Sequence, residues 1–332
     1  MTTSKDLLAV VEAAYRLDQS DDAWLESLIG EMQPLLDVGR GIGGFYFDAR
    51  QPKKLAFTKP IVLGAPAATR IALSTAMQLL PSNMVRQAFV QSTWMSTASE
   101  VFGLGERLRD FFLARQFGHQ FGCYDMLGFK AMDPSAQGVF ILVALPDITT
   151  VSPRETQVWG MCAAHVGAAL RLRRALLPSG MDGAEAVLEP NGAVSHAEEP
   201  AKTPGARDAL RRAVLSSERA RGSMRSSDPV DALELWQALV AGRWSLVEHF
   251  DTDGHRYLVA RRNDPSVRDP RGLSLRERQV VAFAALGHPS KLIGYELGLA
   301  PSTVSKHLTS AMRKLGVRTH AELMQTVSAK SA

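Results

Sequence analysis

The chain has only two cysteines in 332 residues, Cys123 and Cys162, and they stand 39 positions apart with no C-x-x-C partner. That excludes a disulfide framework and a zinc knuckle, and both thiols read as small buried hydrophobes. Long apolar runs are also missing. The longest, Val139 to Leu145, falls far short of the roughly 20 residues that span a bilayer, so no membrane partner is expected. Around Asp6 and Glu12 the N-terminus is briefly amphipathic, without the basic start or small-residue cleavage site of a secretory signal. A cytoplasmic location is expected. No G-x-S-x-G, Walker or H-E-x-x-H motif occurs, so no catalytic residue, metal or cofactor is assigned, and the chain is not expected to be an enzyme.

What is present is the composition of a globular protein, 45% hydrophobic and 22% charged, long enough for two or three domains at roughly 100–200 residues each. Charge is unevenly spread. Residues 1–177 carry 17 basic and 16 acidic side chains, residues 178–270 carry 12 and 15, and residues 271–332 carry 9 and 3. The net charge of +4 is therefore owed to the last segment, which suggests an anionic polymer or surface as its partner.

Residues 4–37 read as two amphipathic helices, with Leu7, Leu8, Val11, Tyr15 and then Trp24, Leu25, Leu28, Ile29, Met32 at helical spacing, the second capped by Asp21 or Asp22. Gly41 to Phe47 and Lys54 to Leu63 read as strands, and 66–117 as helix and loop. Two further strands, Cys123 to Ala131 and Gly138 to Leu145, flank a turn at Asp133-Pro134-Ser135, and Ser152-Pro-Arg-Glu155 opens a long helix to about Leu177. The expected fold of 1–177 is α+β, a mixed sheet with flanking helices. Residues 178–206, rich in Pro and Gly, read as a flexible linker. Residues 207–265 read as an accessory region: a basic helix from about Ala206 to Arg221, a helix from Asp228-Pro229 to Ala241, and a hairpin of Trp244 to Phe250 with His255 to Arg262 around Asp253-Gly254.

Residues 266–332 carry the strongest pattern. Ser274 and Glu277 form an S-x-x-E capping box, Ser290 can cap a short helix from Lys291 to Leu297, Gly298 suits a tight turn, and Pro301 opens a third helix to about Leu315. Thr319 and Glu322 form a second box before a fourth helix. In the third helix Val304, Leu308, Ala311 and Leu315 make one apolar stripe, while Ser302, Lys306, Thr309 and Arg313 repeat the spacing about 200° away. No Asp or Glu occurs from Leu297 to Ala321. A short helix, a glycine turn and a helix with an acid-free outer face form an arrangement that enters the major groove.

Leu273-Ser-Leu-Arg-Glu-Arg-Gln-Val-Val281, Gly287, Lys291-Leu-Ile293, Leu297-Gly-Leu299, Thr303-Val304, His307, Lys314-Leu-Gly-Val317 and Ala321-Glu-Leu323 closely resemble the LuxR-type helix-turn-helix. The resemblance implies an all-α four-helix domain that binds double-stranded DNA through its third helix and often dimerises through its fourth. Carried over by position, it makes Ser305, Lys306 and Thr309 candidates for base edges, and Lys291, Ser302, Thr303, Arg313, Lys314 and Arg318 candidates for phosphate. Three departures stand out. Ala300 replaces a Ser or Thr cap, Gly294 an Ala at the crossing of helices two and three, and Ser305 a frequent Lys.

The element order of 1–177 is similar to GAF-type or PAS-like sensory domains, which implies a small-molecule or protein signal. Trp94, His119, Cys123, Tyr124 and His165 are candidates to line a pocket there, against the plainer reading of core aromatics and satisfied histidines. A dimerising transcription regulator is expected, with a homodimer, RNA polymerase and a small-molecule ligand as further partners. The alternatives are a sigma-factor-like protein or an enzyme–regulator fusion with a DNA-binding tail.

Overall fold

The computed structural model describes residues 6–51, 55–65, 82–111, 115, 122–176, 183–265 and 273–328. In chain order, α1 (Leu7–Ala14) and α2 (Asp21–Leu36) precede β1 (Ile42–Asp48), β2 (Ala56–Phe57), β3 (Ile61–Leu63), α3 (Ser82–Arg86), β4 (Met95–Thr97) and α4 (Ala98–Val101). Next come β5 (Asp125–Met132), β6 (Gln137–Leu145), α5 (Pro153–Leu176), β7 (Ala184–Leu188), β8 (Val194–Ala197), α6 (Pro204–Arg221), α7 (Met224–Ser227) and α8 (Pro229–Leu235). The chain closes with β9 (Trp244–Phe250), β10 (Arg256–Arg262), α9 (Leu275–Ala285), α10 (Ser290–Leu297), α11 (Pro301–Leu315) and α12 (His320–Ser328). Residues 18–132 with 136–163 form one compact unit, and residues 1–17, 133–135 and 164–332 form another. The division runs through α5, whereas the sequence suggested a boundary at 177. Among the described residues, no helix is long and apolar enough to cross a membrane.

The first unit is built on an antiparallel sheet of order β2-β1-β6-β5-β4, with β3 also paired to β1. Because side chains alternate along a strand, the register assigns its two faces. Gly44, Ile141 and Phe129 form one cross-strand row. The absence of a side chain at Gly44 admits Ile29 of α2, whose Cδ1 lies 3.0 Å from where a Cβ would stand, and Trp159 of α5 packs edge-on against Phe129. Phe45, Phe140 and Lys130 form the neighbouring row. On that face Phe45, Phe47 and Phe140 cluster with Phe89. Lys130 is buried there, its Nζ donating to the Ser92 carbonyl at 2.5 Å, and burial pulls its pKa down to about 8. Ser20, rather than either aspartate, caps α2; Asp21 and Asp22 fill its first turn, where the helix dipole favours them. Ser152 and Glu155 close the box expected ahead of α5, the carboxylate accepting from the Ser152 N–H at 2.9 Å.

The second unit holds a four-stranded sheet of order β8-β7-β10-β9. Here the expectation of a flexible linker is overturned: β7 and β8 both lie within 178–206, paired antiparallel around Asn191-Gly192. Their few apolar residues are enough because the partner is distant in sequence. Leu188 and Ala186 pair with Leu258 and Ala260 of β10, and all four are buried with Leu210 and Val214 of α6. The hairpin of β9 and β10 forms in the expected place. Helix α8 stops at Leu235, short of Ala241, because the chain then turns to bring Val240 against Trp244, where their backbones exchange hydrogen bonds of 2.7 and 3.1 Å.

This turn joins two cores. Val240 packs in the apolar cluster of the sheet, and Leu239 packs among Val280, Val281, Ile293, Leu297 and Val304 of the closing helices. Replacing Leu239 by Ala should cost about 2–5 kcal/mol, as large-to-small changes in a packed core do, read as a lowered midpoint in chemical denaturation.

Candidate nucleic-acid interface

The four closing helices are positioned by local chemistry. At the start of α9 the Ser274 hydroxyl accepts from the Glu277 N–H at 3.3 Å, and the Glu277 carboxylate accepts from the Ser274 N–H at 2.7 Å. Helix α10 begins after Pro289 with Ser290 as its first residue and no side-chain cap. Gly298 takes the left-handed φ of +62° that the turn into α11 requires. A Cβ at Gly294 would stand 2.6 Å from the Leu299 carbonyl oxygen, so glycine there is what allows the turn to fold back so closely. Ala300 leaves α11 without a side-chain cap, and Pro301 supplies the pre-set φ instead. Thr319 forms half of the expected second box. Its hydroxyl accepts from the Glu322 N–H at 3.1 Å, while the Glu322 carboxylate accepts from the Arg318 N–H at 2.7 Å.

Val304, Leu308 and Ala311 of α11 are buried. Ser302, Ser305, Lys306, Thr309 and Arg313 are exposed on the opposite side, with Thr303 half-buried beside them. The three proposed base-reading residues therefore share the accessible side of one helix. Lys291 and Arg318 are exposed as well. The Ser305 hydroxyl donates back to the Pro301 carbonyl at 3.1 Å, which occupies its hydrogen but leaves its lone pairs open.

Two of the cationic candidates have carboxylate partners within the protein. Lys314 Nζ lies 2.7 Å from Glu277, whose other oxygen accepts from the Ser310 hydroxyl at 2.6 Å. Hydrogen bonds from Lys314 and Ser310 hold the Glu277 carboxyl well below its ordinary range, at about 2. This carboxylate ties the first turn of α9 to the last turns of α11 and so fixes the tilt of the helix bearing the exposed face. The capping box was visible in the sequence; the clamp on α11 was not. Lys291 pairs with Glu234 of α8 at 3.2 Å, both groups being solvent-exposed.

Residues 271–327 match the model of a family described as bacterial regulatory proteins, luxR family. The C-terminal helices are thus similar to a luxR-family domain. An HTH-type transcriptional regulator of Escherichia coli (strain K12), YhjB, is 36% identical over 67 residues, which are 20% of this chain and 34% of that protein. The chain thus matches about a third of the length of that curated relative. Among solved structures, Escherichia coli SdiA aligns over 94% of this chain and 92% of its own at 8% identity with a TM-score of 0.33. SdiA in complex with octanoyl-rac-glycerol aligns over 99% and 97% at 12% identity with a TM-score of 0.28.

The pocket candidates fare differently. Trp94 is buried and its Nε1–H donates to the Thr156 carbonyl at 2.5 Å. Cys123 is buried, and desolvation pushes its thiol up to about 11; Cys162, buried likewise, is pushed to about 12. Neither thiol carries the thiolate that nucleophilic or metal chemistry needs. Tyr124 lies under the Arg109 guanidinium at 4.8 Å. His119 lies outside the described residues. His165 belongs to the other unit, fully buried with hydrogen-bond partners on both ring nitrogens.

Glu277→Gln keeps a capping side chain but removes the charge that Lys314 meets, and should cost about 1–3 kcal/mol of unfolding free energy. The carboxyl is lowered from 4.5 to about 2 in the folded chain, so its stabilisation is complete above pH 4.5 and is lost as pH falls toward 2. Thermal melts across that window should show a shallower acid loss in the variant than in the wild type.

Proposed function

We propose that the chain is a sequence-specific DNA-binding transcription regulator. It acts in the cytoplasm as a homodimer, contacts double-stranded DNA through α11, and takes its signal, a small molecule or a protein, through the α+β unit at its front. The reading is carried by one observation. Within a luxR-family domain, α11 exposes Ser302, Ser305, Lys306, Thr309 and Arg313 on an acid-free face directly behind a buried stripe of Val304, Leu308 and Ala311. A helix so divided is held firmly enough to enter a groove and offers only donors and neutral groups to phosphate and base edges.

In this reading Lys306 donates to guanine O6 and N7, Thr309 meets a base edge or a thymine methyl, and Ser305 accepts from or donates to either. Ser302, Thr303, Lys291, Arg313 and Arg318 face phosphates. Lys314 contributes to phosphate binding only where Glu277 shares it. Two domains meet half-sites about one helical turn apart, and contact with RNA polymerase follows from the regulatory role. The sheet of the first unit, antiparallel throughout its described pairings rather than mixed as expected, carries helices on one face and an aromatic cluster on the other, which supports a sensory role for it.

Selection of bound duplexes from a random pool with the full-length chain tests the reading. A recovered motif and an affinity falling steeply with salt are expected; salt-independent or motif-free binding would overturn it. Lys306→Ala should weaken the recovered site by about 1–3 kcal/mol and relax preference at one base position. Arg313→Ala should weaken all sequences alike and reduce the salt slope by about 1.

A further inference from the structure

Tyr295 stands on α10 about 200° from Ile293, a buried residue of the closing helices' own core. In a domain hanging free on a tether that position would face water. Here its hydroxyl, with one hydrogen to give, lies within reach of three groups: 2.7 Å from the Leu233 carbonyl, 2.7 Å from the Trp236 carbonyl and 2.9 Å from Nε2 of His165. Nε2 also lies 2.5 Å from the Trp236 carbonyl, and Nδ1 lies 3.3 Å from the Tyr15 hydroxyl. Counting hydrogens assigns the tautomer. Nε2–H donates to Trp236, Nδ1 accepts from Tyr15, and the Tyr295 hydroxyl donates to a carbonyl at the end of α8. Burial lowers the His165 pKa to about 4, so this neutral ring is the form present at neutral pH.

The same side of the domain is held by four further contacts. Arg276 donates to the Ala241 carbonyl and Gln279 to the Gly242 carbonyl. Leu239 is packed in the domain's core. At Gly298 a Cβ would stand 2.3 Å from the Leu239 carbonyl oxygen, so the turn rests on the backbone of that segment. None of these contacts covers the outer face of α11, where Ser302, Ser305, Lys306 and Thr309 remain exposed. The held arrangement is therefore compatible with reading a groove.

We propose that Tyr295 and His165 are positioning residues for DNA recognition: by latching the DNA-binding domain to the α8–β9 segment they fix its orientation in each protomer, so that a dimer accepts half-sites at one separation only. The inference rests on the DNA-binding dimer of the preceding section. A domain on a slack tether would let its second copy reach half-sites at many separations with similar gain, since effective concentration varies slowly with distance for a flexible linker. A latched domain forfeits that gain when the second site rotates away.

The test uses the full-length chain and duplexes carrying one or two copies of the selected half-site, the pair set either at the recovered spacing or with about half a helical turn inserted. The wild type should bind the correctly spaced pair at least about tenfold more tightly than a single half-site and lose that gain on insertion. Tyr295→Phe and His165→Leu should hold single half-site affinity within about twofold, yet bind the two paired duplexes alike. His165→Gln, which retains an amide donor toward Trp236, should restore the wild-type pattern. Variants that keep the wild-type spacing dependence, or that lose single-site binding in parallel, would overturn the positioning role, as would failure of His165→Gln to differ from His165→Leu. A wild type that gains from the pair but ignores the insertion overturns the latch alone; one that gains nothing from the pair overturns the dimer beneath it.

Discussion

Two consecutive residues, Leu239 and Val240, place their side chains in different apolar clusters, one in the closing helices and one in the sheet of β7 to β10. Backbone geometry leaves no slack across a single peptide bond. The turn that carries them is itself bonded to β9 through Val240 and Trp244, and the Ser245 hydroxyl donates to the Ala238 carbonyl at 3.3 Å. Burial on both sides of one peptide makes the two cores answer to each other. The polar contacts of Tyr295, Arg276 and Gln279 reinforce an attachment whose basis is apolar, and they add direction, since hydrogen bonds are orientation-dependent where apolar contact is not.

Charge in the second unit is organised around a similar economy of partners. Arg221 reaches Glu12, Glu218 and Glu248 and lies over the Trp236 ring at 4.2 Å, while Arg225 pairs with Asp6 and Glu12. Acids in α1, α6 and β9 are thus committed to arginines of α6 and α7. On α11 the opposite holds. Its outer face carries no acid, and among the described residues the carboxylate bonded to the helix, Glu277, approaches from the side and takes Lys314. The domain keeps its cationic face open because its carboxylates are placed where they hold helices in position.

What was legible in the sequence was what is local. The boxes at Ser152 and Ser274, the left-handed glycine at 298, the stripe on α11 and the β9–β10 hairpin are each written within short stretches of contiguous chain, and each forms as read. The strands β7 and β8 were hidden because Ala186, Leu188 and Val194 are too few to signal a strand among glycines and prolines, and their core partners on β10 come some seventy residues later. The engagement of Lys314 was hidden for the same reason, its partner lying 37 residues away. Nothing local marks the engagement of Tyr295, because the groups that receive it, Trp236 and His165, come from segments that no pattern in the helix announces.

The membership of α1 in the second unit sets an order on folding. Its partners include Arg225 and α8, more than two hundred residues downstream. During synthesis α1 leaves the ribosome well ahead of Arg225 and α8, while the described strands of the other unit are all in hand by residue 145. Domains generally mature from the N-terminus during translation, but here the buried face of Leu7, Leu8, Val10 and Val11 has its partners in a segment made much later. Helix α1 is thus set into a unit made almost entirely from the C-terminal half.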